Sequence, residues 1–140
     1  MQKRQLPTSL NKITSKDFDL SFRRHPSTGK LLTKKNDESV KQGLKNLLLT
    51  NRYERPFRPE YGGDVRKRLF DNMNFIAPGD YENQIVTAIE NYDPRVVLGP
   101  YSVRVYENQQ EDNTLNINVT FRCAITLNDV SLDINLNRVR

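Results

Sequence analysis

Leu115-Asn116-Ile117-Asn118-Val119-Thr120-Phe121-Arg122-Cys123-Ala124-Ile125 places a larger apolar side chain at every odd position. A period of two describes a β-strand with one face buried. Reading outward, Asn128-Asp129 is a turn, and Leu132, Ile134 and Leu136 alternate in the same way. Upstream, Glu107 to Asn113 forms a polar loop, preceded by Tyr101, Val103 and Val105 with the same spacing. The C-terminal part therefore reads as an antiparallel meander of three strands.

The residues before the meander read as helices. Asn36 is a good N-cap residue, and Asp37 and Glu38 suit the positive end of a helix. Val40, Leu44, Leu47 and Leu48 recur at helical spacing, which predicts an amphipathic helix over 37–50. Gly43 inside it costs up to about 1 kcal/mol relative to Ala, a sign of close packing against another backbone. A third helix follows the Pro78-Gly79 break, capped by Asp80, with Tyr81, Ile85, Ala88, Ile89 and Tyr92 as its apolar stripe. Pro94 ends that helix, and Gly99-Pro100 breaks the chain again. Near the N-terminus, Phe18, Leu20 and Phe22 alternate, Pro26 to Gly29 turns, and Leu31-Leu32 returns, which predicts a hairpin. The predicted fold is α+β in two layers: a three-stranded meander packed with about three helices, plus an N-terminal hairpin. Residues 1–16 read as an extended arm and 17–140 as a single domain.

Composition narrows the chemistry. The chain has 140 residues, 36% of them hydrophobic, and a mean hydropathy of -0.74, polar for a globular protein. No apolar run follows Met1-Gln2-Lys3-Arg4, and the aliphatic runs are short, so neither a signal peptide nor a membrane span is expected. One cysteine and one histidine exclude a disulfide framework and a thiolate- or imidazole-rich metal cluster. Charge is split between the halves. Residues 1–70 carry 17 Lys or Arg against 7 Asp or Glu, a net +10, and residues 71–140 carry 5 against 10, a net -5. A basic half and an acidic half suit a molecule docked between partners in a fixed orientation.

Between the first two helices lies Asn51-Arg52-Tyr53-Glu54-Arg55-Pro56-Phe57-Arg58-Pro59-Glu60-Tyr61-Gly62-Gly63-Asp64, running into Val65 to Phe70. Pro56 and Pro59 favour a stiff, extended arm, and Gly62-Gly63 a sharp turn. Asp64 can cap the short helix that carries Val65 and Leu69. Arg52, Arg55 and Arg58 alternate with Tyr53, Phe57 and Tyr61, a combination suited to protein docking. Downstream stands Asn91-Tyr92-Asp93-Pro94-Arg95, and upstream Asp17-Phe18-Asp19-Leu20-Ser21-Phe22, His25 to Lys30, and Lys41 to Leu49.

This ordered set, from about Asp17 to the C-terminal strands, resembles the baseplate wedge proteins of contractile-tailed phages, the family that starts tail-sheath assembly. Asp93-Pro94-Arg95 stands where that family usually has Glu-Pro-Arg. The resemblance implies a non-enzymatic structural subunit, placed in the virion tail baseplate after assembly in the host cytoplasm. A related protein serves the baseplates of bacterial contractile secretion machines. Other wedge proteins and the tail sheath subunit are the implied partners, with the tail tube or hub beyond them. No cofactor is implied. Asp93, Pro94 and Arg95, with Arg52, Arg55, Phe57 and Arg58, become the candidate docking residues. The strand Leu132-Asp133-Ile134-Asn135-Leu136 is expected at a sheet edge, where a sheath strand could add, with the edge near Val103 and Val105 as the alternative.

The residues bear on two other functions. The basic stretch Arg52, Arg55, Arg58, Arg66, Lys67 and Arg68, interleaved with aromatics, suits nucleic acid, yet no recognised nucleic-acid motif accompanies it, and a solvated face or an acidic protein partner is favoured. The family also carries a lysozyme-like label. Glycoside hydrolysis needs two carboxylates, one with a raised pKa. Glu54, Glu60, Asp64 and Asp71 are the supply, but Glu54 and Glu60 adjoin arginines, which favour the ionised form. Cys123 reads as core and His25 as a surface turn residue.

Overall fold

The computed structural model describes residues 15–68, 78–107 and 114–137. The N-terminal pair is β1 (Lys16–Phe18) and β2 (Thr33–Lys35), followed by helix α1 (Asp37–Leu49), the short α2 (Val65–Arg68) and α3 (Pro78–Tyr92). Strands β3 (Val96–Val97), β4 (Val103–Glu107), β5 (Thr114–Cys123) and β6 (Asp129–Asn137) form the C-terminal sheet. All its pairings are antiparallel, and every one uses β5. β6 runs along one edge of β5 for its whole length. The other edge is shared by β4, opposite residues 115–119, and by β3, opposite residues 122–123. The sheet is thus three strands wide, the predicted meander, with β3 as a short addition.

Alternation along β5 delivers the core. Leu115, Ile117, Val119, Phe121 and Cys123 are buried, joined by Val103 from β4 and Val130, Leu132 and Ile134 from β6. α1 and α3 cover this face with Val40, Leu44, Leu47 and Leu48 from one helix and Tyr81, Ile85, Ala88 and Ile89 from the other. Each fully buried aliphatic side chain contributes roughly 1.5–3 kcal/mol. The opposite face is polar and paired across strands: Asn118 donates to Asp133, and Arg122 forms a two-point ion pair with Asp129.

Several elements depart from the sequence reading. Strand β1 is only three residues long, and Phe18, Leu20 and Phe22 are all more than half exposed. A turn closed by Phe22 N–H to the Asp19 carbonyl, with Phe22 at φ 51°, interrupts the expected alternation before pairing resumes at Arg24–Leu31. β1 begins at Lys16, inside the expected N-terminal arm, whose residues 1–14 lie outside the described residues. So do Leu69, Phe70 and Asp71, most of the loop over 107–113, and Arg138 and Arg140. Asn36 occupies the N-cap position but makes no side-chain cap; it sits at φ 47°, ψ -117°, with Oδ1 buried and unpartnered. The reason is tertiary: its N–H is drawn to the Ser15 carbonyl at 2.7 Å, which fixes the backbone outside capping geometry.

Asp37 holds the start of α1 to the sheet. Its carboxylate accepts hydrogen bonds from Thr126 Oγ1 and from Asn128 Nδ2, both in the β5–β6 connection. The Thr126 hydroxyl holds the Asp37 carboxyl below the usual carboxylate value, against partial desolvation and with help from Asn128. A carboxylate whose folded pKa is depressed stabilises the fold at neutral pH, and that contribution fades as pH falls below the unperturbed 3.8. Asp37→Asn should therefore lose about 1 kcal/mol at pH 7. Urea unfolding at pH 7 and at pH 3 will show the gap between variant and wild type narrowing in acid.

Candidate docking surfaces

The residues between α1 and α2 form a closed loop of turns, not the extended arm expected from two prolines. Tyr53 N–H reaches the Pro59 carbonyl at 2.7 Å, Arg58 N–H the Arg55 carbonyl at 3.1 Å, and Tyr61 N–H the Arg58 carbonyl at 3.1 Å. Gly63 N–H returns to the carbonyls of Leu47 and Thr50, so the loop ends where it began. Proline fixes its own φ near -65°, and that angle serves a chain of turns as well as an extended arm. Gly62 is required at the closure. It lies at φ 143°, and a Cβ there would sit 2.5 Å from the Thr50 carbonyl oxygen.

Each docking candidate on this loop has a defined place. Arg52 donates its backbone N–H to Asp64 Oδ1 at 2.7 Å, with its Nε 3.5 Å from Oδ2. Asp64 precedes α2 as expected, but its carboxylate is engaged in this clasp on the loop. Arg55 stacks over the Tyr61 ring at 4.0 Å. Tyr61 packs edge-on against Tyr92, whose hydroxyl donates to the Glu60 carbonyl at 2.7 Å. Phe57 is 98% exposed at the loop's outer side, and Arg58 is also exposed. Glu54 Oε2 accepts the Asn51 N–H, which makes this carboxylate a brace of the loop.

Tyr92 links the loop to the triplet that follows it. Asp93 N–H still bonds the Ile89 carbonyl, and Pro94 then turns the chain into β3. The Asp93 carboxylate is 7% exposed and grips Arg95 at two points, Nε to Oδ1 and Nη2 to Oδ2, both 2.8 Å. Arg95 Nη1 donates to Ser15 Oγ at 3.0 Å, and Ser15 Oγ lies 3.1 Å from Ser39 Oγ. The guanidinium lies over Gly43, where a Cβ would approach Nη2 to 2.9 Å. The Asp93 hydrogen bonds raise the Arg95 pKa against partial desolvation. The Asp93–Arg95 ion pair is therefore formed within the chain, and it joins α1, the end of α3 and Ser15 just before β1. The shorter Asp, in place of the family's usual Glu, makes the bidentate contact at a spacing of two residues. Ser15, Ser39 and Tyr92 carried no sign of this role in the sequence; Gly43 did, as a costly glycine within an amphipathic helix, though what lies over it is the Arg95 side chain and not the backbone expected.

The sheet edges differ from each other. Cys123 N–H bonds the Asn128 carbonyl, and Thr120 N–H bonds the Ser102 carbonyl on the opposite side. Odd residues of β5 thus donate toward β6 and even residues toward β4. Given the register Asn116–Asn135, the N–H groups of Ser131, Asp133 and Asn135 point away from β5, and β6 pairs with no other strand among the described residues. The side chains of Leu132, Ile134 and Leu136 face inward, the first two buried and the third half-buried. On the β4 edge the outward N–H of Val105 is taken by Glu82 Oε1 of α3 at 3.0 Å. The loop and the triplet meet at the C-terminal end of α3, and β3 leads from there to the edge of β5 opposite β6.

A family model and a relative in sequence both point to one family. A family model described as Baseplate wedge protein gp25 matches residues 34–127. The Baseplate wedge protein gp25 of Enterobacteria phage T4 is 32% identical over 93 residues, 66% of this chain and 67% of that protein. Among solved structures, a chain of the anti-feeding prophage baseplate superposes with a TM-score of 0.68 at 27% identity, covering 82% of this chain and 90% of its own. A protein described as a tail lysozyme from Geobacter sulfurreducens gives 0.63 at 25% identity, covering 74% and 92%. A chain of a type VI secretion baseplate complex gives 0.54 at 14% identity, covering 71% and 93%, and shares the fold.

The Arg95 clasp is open to a thermodynamic test. Arg95→Ala leaves a buried carboxylate without its partner and should cost about 2 kcal/mol in urea unfolding. Gly43→Ala gains up to about 1 kcal/mol of helix propensity where space allows. That gain should appear in the Arg95→Ala background and be lost or reversed in the wild type, where the new methyl displaces a pinned guanidinium. Equal effects in both backgrounds would remove the coupling.

Proposed function

The chain belongs to the gp25 family of baseplate wedge proteins, and on that premise we propose that it joins the wedge to the first sheath ring and templates sheath assembly by strand exchange. A place in a contractile, phage-like baseplate comes with the family. The observation that carries the finer reading is the free edge of β6. Three successive outward N–H groups, at Ser131, Asp133 and Asn135, have no strand beside them among the described residues. An incoming strand would pair with them and with the carbonyls between. The outward positions hold no lysine or proline to obstruct this. At the Val103–Val105 edge, Glu82 already occupies the corresponding donor of Val105, which favours β6 as the template.

The remaining docking roles follow the geometry. The loop presents Phe57, Arg58 and the exposed part of Arg52 to neighbouring wedge proteins, while Arg55 braces the loop through Tyr61. Asp93 and Pro94 fix Arg95, whose side chain is 37% exposed. Three of its five N–H donors are engaged within the chain, and the other two serve a neighbour. The described residues include no helix long and apolar enough to cross a membrane. Assembly with the tail tube or hub is the outer limit of this reading.

A second reading, cell-wall hydrolysis, is favoured by the likeness to the Geobacter sulfurreducens protein described as a tail lysozyme. Against it, Glu54 accepts the Asn51 N–H and Asp64 is held by Arg52, so both carboxylates serve as braces of the loop. Asp71 lies outside the described residues. Pure protein incubated with peptidoglycan should release no reducing ends; release that disappears in Glu54→Gln or Glu60→Gln would establish the hydrolase.

Asn135→Pro tests the edge directly. The Asn135 N–H faces away from β5, so proline removes a donor for an incoming strand and leaves the β5–β6 ladder intact. The variant should fold and enter wedges but start little or no sheath, scored as sheath length on purified baseplates. Full-length sheath on folded Asn135→Pro baseplates would rule out β6 as the template.

A further inference from the structure

A groove of about 550 Å³ lies between the loop and α2, lined by Asn51, Arg52, Tyr53, Asp64, Arg66 and Lys67. One wall is backbone fixed by the loop closure at Gly62-Gly63 and by the Arg52–Asp64 clasp. The other is α2, which leaves Arg66 and Lys67 exposed. Tyr53, 84% exposed, adds an aromatic face at the rim. Three cations against one carboxylate give the groove a net +2, and Asp64 is already engaged by Arg52. Groups of this kind select a carboxylate-bearing partner by charge complementarity.

We propose that this groove holds an acidic segment of a neighbouring protein, an extended stretch that offers two or more Asp or Glu side chains. The inference rests on the reading of the loop as a docking surface and adds the chemistry of what docks there. Mixed polarity argues for a peptide over nucleic acid. The lining supplies an acceptor as well as cations: the Asp64 carboxylate, whose oxygens can accept beyond their contacts with Arg52. A peptide brings backbone N–H groups for acceptors and carboxylates for the cations. A phosphodiester backbone brings only acceptors, and Asp64 repels it. Tyr53 gives the apolar contact that a peptide side chain would cover.

The test uses the full chain and three dye-labelled ligands of similar length: a peptide of alternating Glu and Leu, the same peptide with Gln for Glu, and oligothymidylate. Fluorescence anisotropy should show the Glu peptide bound at least about tenfold more tightly than the Gln peptide, with the preference weakening as salt is raised. Arg66→Glu with Lys67→Glu should abolish the preference. Both side chains are exposed, and the milder pair Arg66→Gln with Lys67→Gln provides a folded variant if charge reversal disturbs α2. Equal binding of the two peptides, or a preference that survives both double variants, would overturn the proposal. Tighter binding of oligothymidylate would overturn it in favour of nucleic acid. Wedge incorporation of Phe57→Ala is scored alongside: a loss there, without any preference for the Glu peptide, leaves the docking loop standing and removes the groove alone.

Discussion

Strand β5 is hydrogen-bonded along both edges, and no pairing in the C-terminal sheet omits it. Its strict alternation commits one face to the core, because a shift of a single residue would expose Leu115, Ile117, Val119, Phe121 and Cys123 together. That penalty sets the register of β6 through nine consecutive pairs and the register of β4 through five. The two helices then have one apolar surface to cover, and their own stripes match it. The layers depend on each other, since a 13-residue helix alone is marginal in water and the sheet without its helices would expose its whole apolar face.

Polar contacts orient the layers that apolar packing brings together. Asp37 ties the start of α1 to the β5–β6 connection. Arg95, gripped by Asp93 and seated over Gly43, ties the middle of α1 to the end of α3 and to Ser15 beside β1. Tyr92 extends the same corner into the loop through Tyr61 and the Glu60 carbonyl. A buried carboxylate without its guanidinium is costly, so this corner resists rearrangement more than apolar contacts alone would. The loop's exposed Phe57 therefore projects from a fixed base.

The two sheet edges are treated differently. On one side α3 covers β4 and fills the outward donor of Val105 with Glu82, a side-chain cap on a strand edge. On the other side no strand among the described residues takes the outward donors of β6, which are bordered by polar side chains. An open edge invites unselective pairing, and proteins commonly blunt such edges with lysine, proline or a bulge. Its survival here, in a family whose members sit in large tail assemblies, fits an edge reserved for a partner strand.

Periodicity in the sequence was enough to determine the sheet, the two longer helices and the buried face of each, because apolar spacing records which side of an element avoids water, but it ran past the strand ends at Tyr101, exposed at φ 60° before β4, and at Ile125, in the turn after β5. It located the break at Pro94, where backbone chemistry is local, whereas Pro78, Gly79 and Asp80 lie inside the first turn of α3 instead of ahead of it, because proline is tolerated in a helix's first turn, where its missing N–H has no partner to lose. The loop, the hairpin and the start of α1 were decided by tertiary structure. Asn36 lost its capping role to a hydrogen bond with Ser15, which is distant from α1's own pattern. The prolines at 56 and 59 allow either an extended arm or a series of turns, and the choice came from the Gly62-Gly63 closure onto Thr50 and from Tyr92, 31 residues beyond Tyr61. The partners of Arg95 were equally out of reach: a side chain's charge is written in the sequence, but whether that charge turns inward or faces a neighbour depends on which backbones the fold brings beside it.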